Sequence, residues 1–158
     1  MKSVLPTNAK MVNKNGFTPL LAASWSGELT CAQWLLEHKL ATVDEATPEG
    51  YTALLCAATR GHLSIVKLAL KHGASVAERD SNAESSALLL AATFNQQAVV
   101  NWLLSDGGAL ITECDANGNT ALLVAAARGH QVIVQGLIEN HGADVNAVNG
   151  QGNNILIM

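Results

Sequence analysis

The apolar positions of this chain return in a fixed rhythm. Residues 50–62, GYTALLCAATRGH, and residues 118–130, GNTALLVAAARGH, agree at ten of thirteen positions and lie 68 residues apart. Aligning the two copies exposes others, because the third column of the G-x-T-x-L core runs Thr18, Thr52, Ser86, Thr120 and Asn154 in steps of 34. Three residues before each turn position stand Asn13, Thr47, Ser81, Asp115 and Asn149, all able to turn the chain through side-chain-to-backbone hydrogen bonds. Inside one copy, Leu54, Ala57, Ala58 and Gly61 recur at i, i+3, i+4 and i+7, which is one face of a helix. Leu55 and Cys56 on the other side are apolar too, so this helix must be sandwiched between neighbours. Thr52 can cap it, Pro19 fits the first turn of its counterpart, and Gly61 ends it. A second helix, LSIVKLALKH, carries its own stripe at Ile65, Val66, Ala69 and Leu70 and stops at Gly73; Gly107 and Gly142 are the matching stops. No copy can bury both of its helices alone. The pattern therefore predicts an all-α solenoid of stacked antiparallel helix pairs.

The segments GFTPLLAAS, GYTALLCAATRGHLSIVKLALKHGA, GNTALLVAAARGH and HGADVNA resemble the ankyrin repeat, which joins a turn to two antiparallel helices around a T-P-L-H-x-A core. The resemblance runs over roughly residues 13–156. It implies one domain over 1–158, with complete copies at about 13–46, 47–80, 81–114 and 115–148, joined by β-hairpin-like turns. A partial fifth copy occupies 149–158, and 1–12 form an N-terminal extension or partial cap. There are departures from the family pattern. Its usual histidine is Leu21, Leu55, Leu89 and Leu123 here, trading a hydrogen bond for apolar packing. The third copy has Glu84 in place of the turn glycine and Asn95-Gln96 in place of Gly-His, and is expected to be the least regular. Each copy is one residue longer than the ~33-residue family unit; the extra residues fall in loops, as at Gly107-Gly108 and at residues 139–142.

Composition narrows the chemistry. The chain is 49% hydrophobic but only 4% aromatic and 14% charged, with a net charge of −4, so it has no blanket basic footprint for nucleic acid. Cys31, Cys56 and Cys114 form no CxxC pair, which argues against a zinc site or a disulfide framework and for reduced thiols in an intracellular, cytoplasmic or nuclear setting. Cys31 shares its slot with Ile65, Val99 and Ile133, so it is expected in the core, as is Cys56; Cys114 falls in a loop. No run is long enough for a membrane span. His62 and His130 stand at the start of second helices as turn-bonding residues, and His38, His72 and His141 near the ends of second helices, where the helix dipole tolerates positive charge. No arrangement of nucleophile, base or phosphate loop emerges. The chain is expected to have no catalytic residues, no cofactor and no metal.

What remains free is the surface. In ankyrin-like arrays the turn tips and first helices line a concave groove, and the resemblance implies that a protein or peptide binds there. Mapped onto this sequence, the candidate binding residues are Phe17, Trp25, Tyr51, Thr59, Arg60, Thr93, Phe94, Asn119 and Arg128. Four of the six aromatics, Phe17, Trp25, Tyr51 and Phe94, fall on these positions, where aromatic anchors supply contact area. Trp34 and Trp102 share a slot on the second helices and are expected as half-buried outer-wall packing. Arg60 and Arg128, two copies apart, are expected roughly 20 Å from one another, too far to clamp one carboxylate. The C-terminal GNNILIM opens a first helix and offers Ile155, Leu156 and Ile157 unfinished; at the other end Val4, Leu5, Met11 and Val12 do likewise. Two expectations follow: a fragment of a longer array or multidomain protein, or an intact short protein whose last strip docks on itself or, by self-association through the incomplete C-terminal copy, on a second copy. The leading function is a non-catalytic interaction module; the alternative is a structural or regulatory segment of a larger protein.

Overall fold

Every first helix begins in the same way. The side-chain oxygens of Thr18, Thr52 and Thr120 accept from the backbone N–H three residues on at 3.4 Å, and that of Ser86 does so at 3.5 Å. These caps supply one of the partners that the open N-terminal turn lacks. The computed structural model describes residues 11–156. Val4 and Leu5 of the expected N-terminal cap and Ile157 of the fifth copy lie outside the described residues. Within them stand eight α-helices: α1 Pro19–Ser26, α2 Leu29–Glu37, α3 Ala53–Arg60, α4 Leu63–Lys71, α5 Ala87–Thr93, α6 Gln97–Ser105, α7 Ala121–Ala127 and α8 Gln131–Glu139. They form four antiparallel pairs. The first helices pack in the order α1, α3, α5, α7, the second in the order α2, α4, α6, α8, and each pair packs internally.

Leu20, Leu54, Leu88 and Leu122 run down this stack as one file, all at most 2% exposed. Leu21, Leu55, Leu89 and Leu123, which stand where the family carries histidine, are equally buried. Each such leucine contributes about 1.5–3 kcal/mol by burial, and none could be buried without a neighbouring pair. The solenoid follows from that requirement. Between the pairs the chain makes short hairpins marked by the bridges Ala46 to Thr52, Arg79 to Ser86 and Cys114 to Thr120. Adjacent hairpin tips bond to one another, with Ser81 N donating to Glu49 O, Ala116 N to Ala83 O and Gly150 N to Asn117 O at 2.8–2.9 Å. That closeness requires glycine at 118: its φ is +78°, and a Cβ there would fall 2.7 Å from Gly150 N.

Several local expectations meet the structure. The third copy is the irregular one, as expected, yet it keeps its helix pair: Glu84 and Asn95 adopt φ of +53° and +61°, the left-handed values glycine takes elsewhere, and Arg79 Nη1 braces the turn by donating to Glu84 O and Cys114 O. Its turn is made by Asp80, not Ser81, with Asp80 Oδ1 accepting from Asn82 N and Ala83 N. Asp80 N then bonds Ser85 O, five residues on, where the other hairpins close over four. At the end of α6 the left-handed residue is Gly108 at +80°, not Gly107. The fifth copy forms its turn, with Asn149 Oδ1 accepting from Gln151 N and Asn153 N, but no helix starts among its described residues. Ile155 is half-buried and Leu156 is 86% exposed.

Cys31 is exposed rather than core. Its equivalents Ile65, Val99 and Ile133 are buried behind the pair before them, and among the described residues no helix precedes α1–α2. Trp34 is 52% exposed for the same reason, with its ring stacked 4.6 Å from that of His38, whereas Trp102 is half-buried beneath Lys67.

Candidate functional site

Phe17 sits one residue before the cap of α1 and Trp25 near its C-terminal end. The fold turns both toward the same edge of the stack, where their rings meet edge-to-face at 5.9 Å and 81°. Arg60, the last residue of α3, places its guanidinium 5.3 Å from the Trp25 ring centroid, within cation–π range. Asn13 and Asn15 from the hairpin complete a depression of about 350 Å³ walled by the two rings. Two nearly perpendicular rings, a guanidinium over one of them and hairpin amides are thus gathered at one edge of the stack.

The other candidate residues are placed differently. Phe94, 48% exposed, and the exposed Arg128 close α5 and α7 and project at the same helix ends. Tyr51 is half-buried and packs against both halves of the core; burial, then the charge of Asp80, raises its phenol above the ordinary range. Thr59 is corrected: it is 5% exposed and its hydroxyl donates to Leu55 O at 2.8 Å, so it braces α3. The Thr93 hydroxyl is spent on Leu89 O at 2.8 Å. The side chain of Asn119 donates to Asp115 Oδ2 and accepts from Asn149 Nδ2, which ties it into the hairpins. Threonine in a helix has this backbone option at all times, and the sequence pattern carries no mark of which one takes it.

A set of ties holds the surface in place. Nε2 of His62 stands 3.2 Å from Trp25 O, and Nε2 of His130 stands 2.9 Å from Thr93 O. A carbonyl only accepts, so each ring donates from Nε2. Gln96 Nε2 donates to Thr59 O at 3.1 Å in the same way. The amide thus replaces the missing histidine of the third copy, and the tie reaches the preceding pair instead of the residue's own turn. Sequence reasoning missed this, although the 34-residue spacing of positions 62, 96 and 130 was available as a signal.

Among the described residues no group of three or more His, Cys, Asp or Glu side chains could hold a metal ion. Burial pushes the Cys56 thiol up to about 12, which leaves it an inert packing group. Cys31 and Cys114 are exposed.

Comparison with protein families agrees with this architecture. Models described as ankyrin repeats (3 copies) match residues 39–112 and 78–149, and a single ankyrin-repeat model matches residues 15–48. These matches span most of the chain: it belongs to the ankyrin-repeat family. Comparison with curated proteins finds no match. Ankyrin repeats are generally protein–protein interaction modules and typically carry no catalysis. Among the described residues no helix is long and apolar enough to cross a membrane.

Proposed function

We propose that this chain is a non-catalytic interaction module that holds a protein or peptide along the groove lined by its hairpin tips and first helices. One observation carries the reading: Phe17 and Trp25 meet ring to ring and wall the 350 Å³ depression, and Arg60 stands over the Trp25 ring. Aromatic and arginine side chains gathered in one spot are the composition of interface hot spots. Phe94 and Arg128 extend the same edge along the stack, so an elongated partner with apolar and acidic positions suits it. His62 and His130 hold the backbone of Trp25 and Thr93 in place, which reduces the ordering cost of binding.

The test uses photo-crosslinking amino acids placed at Phe94 and Arg128, and at Gln33 and Lys71 on second helices as controls. A partner captured from the groove positions and not from the controls is the expected result. Trp25→Ala should then weaken that complex by about 2 kcal/mol, the usual scale of a hot-spot truncation, with the thermal midpoint of the module nearly unchanged. Equal capture from both sets, or a complex indifferent to Trp25→Ala and Arg60→Ala, would refute the groove.

A further inference from the structure

A carboxylate that caps a loop and meets a helix-cap hydroxyl repeats along the stack. Glu78 Oε1 accepts from Ser75 N at 2.9 Å, and its Oε2 accepts from the hydroxyl of Thr52, the cap of α3, at 2.6 Å. Glu113 does the same with Leu110 N and the hydroxyl of Ser86, the cap of α5. Glu45 is the third member. Its Oε1 accepts from Thr42 N at 3.2 Å, but its Oε2 is buried with no hydrogen-bond partner among the described residues. The residue is only 6% exposed. The matching hydroxyl is that of Thr18, and the two side chains do not meet. Both instead line a cavity of about 220 Å³ whose remaining walls, among them Pro19, Leu35, Leu40 and Ala41, are apolar. Among the described residues no lysine or arginine lines it.

The cavity opens on the outer side of α1–α2. Next to it, sharing Pro19 and Leu35, lies a larger apolar groove of about 690 Å³ that includes Ala22, Cys31 and Trp34. The equivalent surface of the next pair, with Ala53, Cys56 and Ile65, is at most 2% exposed because helices cover it. The face is therefore shaped for helices. A carboxylate oxygen in an apolar pocket calls for a strong donor, and a cationic N–H supplies the strongest available. Drug-sized sites begin at about 300 Å³, so the smaller cavity suits one long side chain. Lysine or arginine can lay its methylenes on Leu35 and Leu40 while its head reaches Glu45. A second copy stacked end to end fits poorly, since residues 129–158 contain neither lysine nor arginine.

We infer that the outer face of α1–α2 docks an amphipathic helix of a partner protein, anchored by one lysine or arginine inserted onto Glu45. This surface adjoins the depression beside Phe17 and Trp25, sharing Ala22 and Ser26 with it, but the inference does not depend on that reading.

The test titrates the full chain into two fluorescein-labelled 18-residue helical peptides with a Leu/Ala face. One carries lysine at the centre of that face and the other norleucine, and binding is read by fluorescence anisotropy. The lysine peptide should bind about tenfold more tightly, as expected for one charge-assisted hydrogen bond. Glu45→Gln should abolish the difference, and Arg128→Ala, in the groove, should leave it intact. Leu40→Lys, at a 55% exposed position on the rim, serves if Glu45→Gln fails to fold; it should fill the site from within and remove the lysine preference. Equal affinity for the two peptides, binding by neither, or an unchanged preference in these variants overturns the inference. Binding seen only once residues 1–10 are deleted also overturns it, because the occupant is then this chain.

Discussion

Ser24 offers the sharpest test of the packing argument. It lies within α1 in a slot that is alanine in the other three pairs, at Ala58, Ala92 and Ala126. Its side chain is fully buried, and its hydroxyl has no hydrogen-bond partner among the described residues. Thr59 and Thr93 show the usual remedy, a bond to the carbonyl four residues back; Ser24 does not make it. An unsatisfied buried hydroxyl costs about 1–3 kcal/mol. Ser24→Ala removes one oxygen, and the neighbouring pairs show that the stack closes around alanine there. The expected gain is about 1 kcal/mol, at the low end of that range because one small void remains. With a urea m-value of about 2 kcal/mol/M for a chain of this size, the unfolding midpoint should rise by about 0.5 M. Far-UV circular dichroism against urea measures it, and Ala58→Ser is the reciprocal control, expected to lower the midpoint. A midpoint that falls or stays constant in Ser24→Ala, at unchanged slope, would show that the hydroxyl is satisfied and the reasoning wrong.

Glu84→Gly should stabilise the third hairpin by about 0.5–1 kcal/mol, since its φ of +53° strains any side chain and suits glycine; the same urea titration reads it. Gln96→Ala should cost about 1 kcal/mol by leaving Thr59 O without its donor, whereas Gln96→His should hold the wild-type midpoint. In the folded chain a thiol reagent at pH 8 should label Cys31 and Cys114 quickly and Cys56 only on unfolding; fast labelling of all three would contradict the burial of Cys56. The raised Cys56 pKa has a signed consequence: folding favours the neutral thiol, so its contribution is complete below pH 9 and lost as pH climbs from the ordinary 9.0 toward about 12. Between pH 8 and 10 the native chain should therefore lose about 1 kcal/mol relative to Cys56→Val, measured as the difference between two denaturant series.

How much of this was legible depended on how local the cause was. The caps Thr18, Thr52, Ser86 and Thr120 and the leucine files were readable because hydroxyl-to-amide bonding and helical periodicity act within a few residues. Cys31 and Trp34 were misjudged because a repeat assigns a residue its slot without saying whether a neighbour covers that slot. The turn at Asp80 went to the wrong residue because aspartate and serine stand side by side and both can accept from the backbone; the wider hairpin at Glu84 decided between them. Arg60 over Trp25 lay beyond reading, since it joins residues 35 apart in sequence. The Glu45, Glu78 and Glu113 series was hidden too, because its spacing is 33 and then 35 and breaks the 34-residue register.

The ties made by His62, Gln96 and His130 join these observations into one device. The last carbonyls of a helix have no partner within it, and Trp25, Thr59 and Thr93 offer theirs at the C-terminal ends of first helices, the edge where Phe17, Trp25, Arg60 and Phe94 gather. A donor from the following pair fills each of these positions, so the bond that satisfies a helix end also sets the spacing between pairs. Histidine and glutamine both fill it because each carries a planar N–H at about the same reach, so the third copy keeps this tie without Gly-His. The hairpin tips are linked in parallel by Ser81, Ala116 and Gly150. Two rows of backbone-directed bonds therefore run along the stack and flank the candidate surface, and neither draws on the exposed side chains between them.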